Sequence, residues 1–320
     1  MGGCAADQGA AGLTVPPAPL FASRNRETTL LARTLAVFAV SDLAMLVEGE
    51  TGTGKSTVAR MIHRRSRPGT PLVVADCGAW PAALAPAELF GHVAGAFTDA
   101  TRSRVGWLEQ AGDGTLVLDR LEALAPEAQV ALLRTVEECR FLPVGGRTPR
   151  LLRARIVCLA DSGLRERVAS GVVREDLYFR LAGFHAVLPP LRNRPEDILP
   201  AARAELRRQG RLLSRRFRIS AQAEELLHHH PWPGNFRQLR AVVAGACLRA
   251  SDEDIGPAEL GLDACEAGGV LDVAARRPLS LAAASRLYAL LVLSSYGGNV
   301  SRAARVLGVS RRTLIRWRQE

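Results

Sequence analysis

The chain has 320 residues, enough for two or three domains, and 48% of them are hydrophobic, ample for buried cores. Lysine and arginine total 42 against 32 acids, so the net charge is +10 and the pI near 10.3, a balance that suits a polyanionic partner such as DNA. No apolar run is long enough to span a bilayer, and no basic segment with a long apolar core opens the chain, so neither a membrane span nor a signal peptide is expected. The six cysteines (Cys4, Cys77, Cys139, Cys158, Cys247, Cys265) form no C-x-x-C pair, which fits reduced thiols in a cytoplasmic protein and argues against a disulfide framework or a zinc site.

Residues 1–20, rich in Gly, Ala and Pro, read as a disordered tail. Arg24 to Val40 has helical apolar spacing through Leu30, Leu31, Leu35 and Phe38. Met45 to Val47 is a short apolar run that predicts a buried strand. It opens into Gly49–Ser56, G-x-x-x-x-G-K-S, and then a helical stretch through Met61 and Ile62. Strand, glycine loop and helix together are the setting in which this motif cradles phosphates. Gly49, Gly52 and Gly54 allow the backbone of Gly49, Glu50, Thr51, Gly52, Thr53, Gly54, Lys55, Ser56 and Thr57 to turn its N–H groups toward phosphates. Lys55 would reach the outer phosphates and Ser56 would help hold Mg²⁺. Lys55 is the only lysine in the chain, and a compact ammonium suits a phosphate cradle where a planar guanidinium does not.

Further along, Pro71–Ala75 predicts a second buried strand and Pro81–Gly91 a helix. Gly95-Ala96-Phe97-Thr98-Asp99-Ala100 forms a loop with an exposed-looking phenylalanine. Gly114–Asp119 predicts a third strand, ending in an acid; Pro126–Glu138 predicts an amphipathic helix and Arg155–Ala160 a fourth strand. Strands alternating with helices mean a mostly parallel sheet covered on both faces, an α/β fold. From Pro189 the pattern becomes turn-rich and then helical through Ala250, a small helical domain. His228, His229 and His230 are consecutive and point in different directions on a helix, so they read as a solvated helix end rather than a metal site.

Residues 263–278 form a Gly/Ala/Arg linker before a last unit at 279–320. There Leu281–Ser295 and Ser301–Leu307 predict two helices, Gly308-Val309 a turn, and Ser310 the cap of a third helix carrying Arg311, Arg312, Arg316 and Arg318. Two short helices joined by a glycine turn, the second basic, fit a helix-turn-helix that binds DNA as a dimer, and a small dimerisation bundle is the alternative. Ser310, Arg311, Arg312 and Thr313 would face base edges, Arg316 and Arg318 would meet phosphates, and Leu314, Ile315 and Trp317 would include the packing face.

Several segments taken together resemble the AAA+ transcription activators that work with the sigma-54 form of bacterial RNA polymerase: GETGTGKS (49–56), ELFGHVAGAFTDA (88–100), GTLVLD (114–119), REDLYFRL (174–181), LPPLRNRPEDI (188–198) and WPGNFRQL (232–239). The tail resembles the Fis-type helix-turn-helix of those proteins. The resemblance implies an AAA+ α/β nucleotide-binding domain at 21–190, a helical lid at 191–262 and an all-α DNA-binding domain at 279–320. It also implies that Asp119 orients Mg²⁺ and its water, that Arg174 and Arg180 reach a nucleotide in the neighbouring subunit, and that Arg237 couples the lid to nucleotide. The loop Gly95–Ala100, with Phe97 and Thr98 at its tip, would touch sigma-54. The family joins ATP hydrolysis in a homo-oligomeric ring, usually a hexamer, to remodelling of the polymerase at a promoter. Only a short tail precedes the ATPase segment, so any signal is expected through a separate protein or through expression level.

Four positions depart from the family pattern. The glutamate expected after Asp119, which polarises the attacking water, is Arg120; its asparagine partner on the second strand is Asp76; the asparagine expected at the end of the fourth strand is Asp161; and the last glycine of the contact loop is Asp99. Arginine cannot act as a general base near neutral pH. Asp76 and Arg120 are expected to form an ion pair where the family has an Asn–Glu hydrogen bond, a pair costly to half-break if buried. Asp161 is the candidate to take over water activation. Two functions remain open on these residues: an ATP-driven sigma-54 activator that remodels the polymerase, and an ATP-binding, DNA-binding regulator with impaired hydrolysis that modulates active relatives or acts independently of sigma-54.

Overall fold

The computed structural model describes residues 23–98 and 100–262, and beyond these only positions 289, 304, 307, 309–311, 313 and 314. The tail at 1–20, Asp99, the linker, most of the two helices expected between 281 and 307, and Arg312, Ile315, Arg316, Trp317 and Arg318 lie outside the described residues. The chain divides into two compact units, Met1–Glu205 with Trp232–Ala241, and Leu206–Pro231 with Val242–Glu320.

The first unit opens with α1 (Arg26–Phe38), β1 (Met45–Glu48), α2 (Lys55–Ser66), β2 (Leu72–Asp76) and α3 (Ala85–Phe90). A short hairpin, β3 (Gly91–His92) and β4 (Arg104–Val105), carries the contact loop and leads to α4 (Trp107–Ala111), β5 (Thr115–Asp119) and α5 (Pro126–Glu138). A second hairpin, β6 (Arg140–Phe141) with β7 (Arg150–Leu151), precedes β8 (Arg155–Ala160), α6 (Leu164–Ala169), α7 (Glu175–Leu181) and β9 (Phe184–Val187). Five strands form one parallel sheet in the order β2-β5-β8-β1-β9. β1 and β8 are buried at every position, as expected of strands covered on both faces. Successive residues alternate between those faces. Leu46, Leu116, Leu118, Ile156 and Cys158 pack with residues of α3, α5 and α7, while Met45, Val47, Val117, Val157 and Leu159 pack with α1 and α2.

Within the sheet unit the structure differs from the sequence expectation at β2, at the helix expected over Pro81–Gly91 and at β9. β2 is an edge strand with Val74 45% exposed, so it is only partly buried. The helix expected at Pro81–Gly91 is a 3₁₀ turn (Ala82–Leu84) followed by the shorter α3, and Gly91 ends it at φ +79°, where a Cβ would lie 2.6 Å from the Arg104 carbonyl. β9 carries no strong periodic signal over its four residues; its place is set by parallel pairing with β1, Met45 opposite Phe184. Arg155, almost fully buried, donates to the carbonyls of Ala39 (2.5 Å) and Phe38 (3.1 Å) and so fastens the end of α1 to β8; burial lowers its pKa.

α8 (Ile198–Leu213) and α10 (Asn235–Arg249) run across the division between the units. The second unit also holds β10 (Arg218–Ile219), α9 (Ala221–His229), β11 (Asp254–Ile255) and α11 (Pro257–Leu260). β10 pairs in parallel with β11, and Ser220 caps α9 by accepting from the Ala223 N–H at 3.2 Å. His228 and His229 are exposed, whereas His230, expected in solvent, is buried because the chain turns inward after α9. Near the C-terminus Ser310 Oγ accepts from the Thr313 N–H at 3.0 Å, the expected cap, and Leu314 is buried in a small cluster with Ala289 and Ala304.

Leu116 is fully buried mid-sheet. Replacing it with alanine is expected to lower unfolding stability in urea by about 2–5 kcal/mol, the range for deleting a packed leucine.

Candidate nucleotide site

The carboxyl ends of parallel strands are where ligands of open α/β sheets bind. Here β1 runs into Gly49, while β2, β5 and β8 deliver Asp76, Asp119 and Asp161. They border a cavity of about 580 Å³ lined by Thr51, Gly52, Gly54, Lys55, Ser56, Thr57, Asp76, Asp119, Arg120, Asp161, Phe236, Arg237 and Arg240. The structure thus gathers the phosphate loop, the strand-end acids and the start of α10 around one space.

The loop conformation follows from its glycines at two points. Gly52 has φ +80°, and a Cβ there would sit 2.2 Å from the Gly234 carbonyl; Gly54, at φ +110°, begins α2. The turn at 232–235 presses directly on the loop, for the Phe236 N–H donates to the Gly52 carbonyl at 3.1 Å. Asn235, fully buried with φ +50°, accepts from the Leu191 N–H at 2.6 Å and donates to the Thr51 carbonyl (3.0 Å) and Glu50 Oε2 (3.1 Å). Arg192 forms two bonds with the Glu50 carboxylate, at 2.5 and 2.8 Å. These bonds, the Arg192 pair first, hold the Glu50 pKa below its ordinary value. Buried Arg194 donates to the Thr53 carbonyl at 3.0 Å and stacks on the Phe236 ring at 4.6 Å; desolvation brings its pKa down to about 10. Arg237 donates to Thr51 Oγ1 at 3.0 Å.

Lys55 uses its three donors on Gly49 O (2.5 Å), Glu50 O (3.4 Å) and Asp161 Oδ1 (2.6 Å). Asp161, the candidate for water activation, is therefore the counter-ion of the phosphate-loop lysine. Asp76 and Asp119 face each other in the β2–β5 register. Asp119 Oδ1 accepts from the Arg120 N–H at 3.0 Å, and Arg120 takes the left-handed φ +57°, sparsely populated for a residue with a Cβ. Its guanidinium lies over Gly78, where a Cβ would meet it at 2.5 Å, and donates twice to Asp76, Nε–Oδ1 at 2.7 Å and Nη2–Oδ2 at 2.5 Å. The Asp76 bond raises the Arg120 pKa. The expected pair is present, but it is not buried: the side chains are 47% and 48% exposed, so water screens it.

Other expected residues fall elsewhere. Arg174 pairs with Asp176 at 2.7 Å and Arg180 donates to the Val136 carbonyl at 3.2 Å; neither lines the cavity. In the β3–β4 loop, Phe97 is half-buried rather than exposed, its ring 4.9 Å from that of His92, because Gly95 N–H to Ala100 O (2.8 Å) and Ala100 N–H to Phe97 O (2.9 Å) fold the loop onto the hairpin. Thr98 is exposed and Ala100 buried. Sequence reasoning missed Arg240, which sits three residues after Arg237 on the same helix face, a signal that was available. It also missed Glu122, whose Oε1 accepts from the Asp161 N–H at 3.4 Å and whose Oε2 is buried without a partner; no local pattern marks it.

Two measurements test this geometry. Asp76→Ala is expected to leave the thermal unfolding midpoint nearly unchanged, since the pair is screened; a large drop would show that it bears on the fold. For Glu50 the lowered folded pKa means that its stabilisation is present above the ordinary carboxylate value and is lost as pH falls through the folded pKa. A Glu50→Gln variant should therefore show a flatter stability profile than the native chain below about pH 4.5, read by urea unfolding across pH.

Comparison with known proteins agrees with this architecture. Residues 21–186 match the sigma-54 interaction domain, 192–269 the AAA+ ATPase lid domain and 290–320 the Fis family of bacterial regulatory proteins. The sigma54-dependent transcriptional activator SfnR of Pseudomonas putida is 40% identical over 262 residues, covering 78% of this chain and 71% of that protein. The transcriptional regulatory protein ZraR of Klebsiella oxytoca is 38% identical over 291 residues, covering 89% of this chain and 65% of that one. The chain thus spans about two thirds of such relatives. The crystal structure of NtrX from Brucella abortus in complex with ADP superposes with a TM-score of 0.69 at 29% identity, covering 92% of this chain and 68% of that one. Together with the parallel sheet, lid and helix-turn-helix segments, these matches place the chain in the family of sigma-54-dependent transcriptional regulators.

Proposed function

We propose that the chain is an ATP-binding, DNA-binding regulator of sigma-54 transcription whose hydrolytic step is impaired. The observation that carries this reading is the two-bond contact from Arg120 to Asp76 at the position where the family resemblance calls for a catalytic glutamate. A guanidinium cannot take a proton from water, and this one is directed at the neighbouring strand end rather than at Asp119.

The binding parts support the nucleotide half. Gly54 and the backbone N–H groups that begin α2 suit a phosphate, and Lys55, Arg237 and Arg240 add positive charge around the cavity. Lys55 would exchange Asp161 for a phosphate oxygen. Ser56 and Asp119 are the residues that would hold Mg²⁺, and the cation would offset phosphate charge there. Structures of NtrX in complex with ATP and with ADP make a nucleotide the natural occupant of the matching site. In an oligomer, Arg174 and Arg180 would serve the neighbouring subunit's nucleotide, and Phe97 and Thr98, released from the His92 face, would meet sigma-54. Ser310, Arg311, Arg312, Thr313, Arg316 and Arg318 would bind DNA.

A second reading has its own support: Asp161 and Glu122 place two carboxylates beside the missing glutamate, and Asp161 would become available once Lys55 turned to phosphate. Steady-state ATP hydrolysis by the oligomer separates the two. The native chain is expected to bind ATP with turnover no higher than a Lys55→Ala control, and the double variant Arg120→Glu/Asp76→Asn, which restores the carboxylate without a facing acid, is expected to gain at least tenfold. Turnover by the native chain that Asp161→Asn abolishes would overturn the impaired-hydrolysis reading.

A further inference from the structure

Three carboxylates border the cavity from the strand ends, and they differ in what balances them. Asp76 takes two bonds from the Arg120 guanidinium. Asp119 accepts from the Arg120 N–H and is, with Ser56, the residue that would hold Mg²⁺. Asp161 accepts from Lys55 Nζ at 2.6 Å, and among the described residues its carboxylate has no other hydrogen-bond or ion-pair partner. Lys55 in turn spends its donors on Gly49 O, Glu50 O and Asp161 Oδ1. The two carbonyls belong to the glycine loop itself, so the donor that already meets an anion is the one on Asp161. A phosphate oxygen and this carboxylate compete for it.

The Asp161 backbone cannot back away from an incoming phosphate. It follows β8, which is buried at every position, and the carbonyl of Ala160 accepts from the Gly49 N–H at 3.3 Å. The Asp161 N–H donates to Glu122 Oε1 at 3.4 Å. The next turn is pinned by Glu48, whose Oε1 accepts from the Gly163 and Leu164 N–H groups at 3.0 and 3.3 Å and whose Oε2 lies 3.0 Å from His185 Nε2. Glu48 and Glu122 are both buried. Glu48 directly precedes Gly49, so the residue that leads into the glycine loop also holds the turn after Asp161. With the backbone fixed on both sides, only rotation of the Asp161 side chain, 42% exposed, moves the carboxylate. Rotation can turn it toward water but cannot take its charge from the rim of the cavity that it lines.

We infer that Asp161 sets the nucleotide selectivity of this site: it competes with the outer phosphates for Lys55 and disfavours a nucleoside triphosphate relative to a diphosphate. This role rests on the reading of the cavity as a nucleotide site. Displaced from Lys55, Asp161 is a carboxylate without its counter-ion beside a bound anion, and like charges at close range repel. The penalty rises with the charge of the ligand. A triphosphate carries one negative charge more than a diphosphate, and it adds that charge at the outer phosphates, which the loop lysine reaches. Mg²⁺ lowers the charge of both ligands and leaves the difference between them. The Lys55 side chain is only 10% exposed, so water and salt screen the exchange weakly at its centre. Selectivity of this kind comes from an uncompensated charge set against one of two ligands.

The test is titration calorimetry of the full chain with ADP and with the non-hydrolysable β,γ-imido analogue of ATP, in excess Mg²⁺, for the native chain, Asp161→Asn, Asp161→Glu and Lys55→Ala. Asp161→Asn keeps the shape and removes the charge. It is expected to tighten the triphosphate analogue about tenfold and ADP about threefold, so that preference for the triphosphate rises about threefold. Asp161→Glu keeps the charge and is expected to stay near the native ratio. Unchanged affinities in Asp161→Asn, equal tightening of both ligands, or weaker binding of the analogue overturns the inference; weaker binding would mark Asp161 as a ligand of Mg²⁺ or of the phosphate. Lys55→Ala separates this outcome from a failure of the nucleotide reading. If the native chain and Lys55→Ala bind both nucleotides alike, or if no form of the chain binds either, the nucleotide reading falls and the role of Asp161 with it. If the native chain binds, Lys55→Ala does not, and Asp161→Asn leaves the ratio unchanged, the nucleotide reading stands and the role of Asp161 falls alone.

Discussion

A single buried amide holds the phosphate loop in shape. Asn235 ties Leu191, Glu50 and Thr51 together from a fully buried, left-handed position. Its donors and acceptor are all engaged at a depth where a lost partner costs about 1–3 kcal/mol. Around it the Gly52–Gly234 approach leaves no room for a Cβ, and Arg194 closes the far side between Thr53 and Phe236. The glycine loop is therefore set in place by residues 141 to 185 positions away along the chain. Any movement of the start of α10 is felt at Gly52 and Thr51, a direct mechanical link between Arg237 and the glycine loop.

Charge in the site is arranged as exchangeable pairs. Lys55 is matched by Asp161, Arg120 by Asp76 and Glu50 by Arg192. The three pairs differ in exposure, and exposure decides what each can do. The Lys55 side chain is 10% exposed, so its ammonium is well placed to trade one anion for another in a weakly screened setting. The Arg120–Asp76 pair is half open to water and adds little to the fold, but it fixes what stands at the end of β5. The position where the family resemblance calls for a glutamate carries a cation held by two bonds.

The contact loop obeys the same logic of local restraint. Its tip residue Phe97 rests against His92 because turn hydrogen bonds, Gly95 N–H to Ala100 O, Ala100 N–H to Phe97 O and Ala96 N–H to Val93 O, close the loop over the β3–β4 hairpin. Burying part of an aromatic ring against its own hairpin stabilises the folded-down state, and a partner that takes up Phe97 has to replace that contact with a better one.

Much was legible in the sequence. The strand–glycine loop–helix at 45–66, the strand at 155–160 and the helix at 126–138 follow from apolar runs, glycines and a proline at the first helical turn, all local physics. The Arg120–Asp76 pair was legible too, because two substitutions of opposite charge fell on one expected contact. Only the tertiary structure decided that this pair is exposed, that Asp161 belongs to Lys55, that Phe97 is folded down, and that Glu122 and Asn235 stand at the site. These depend on which strand ends and turns become neighbours across the sheet, and on how much water reaches them. No periodicity encodes either one, because exposure and long-range pairing arise only when the parallel register β2-β5-β8-β1-β9 closes. Sequence by itself determined the family, the strand–glycine loop–helix at 45–66 and the longer elements around it, because these follow from local patterning; folding decided which charges meet.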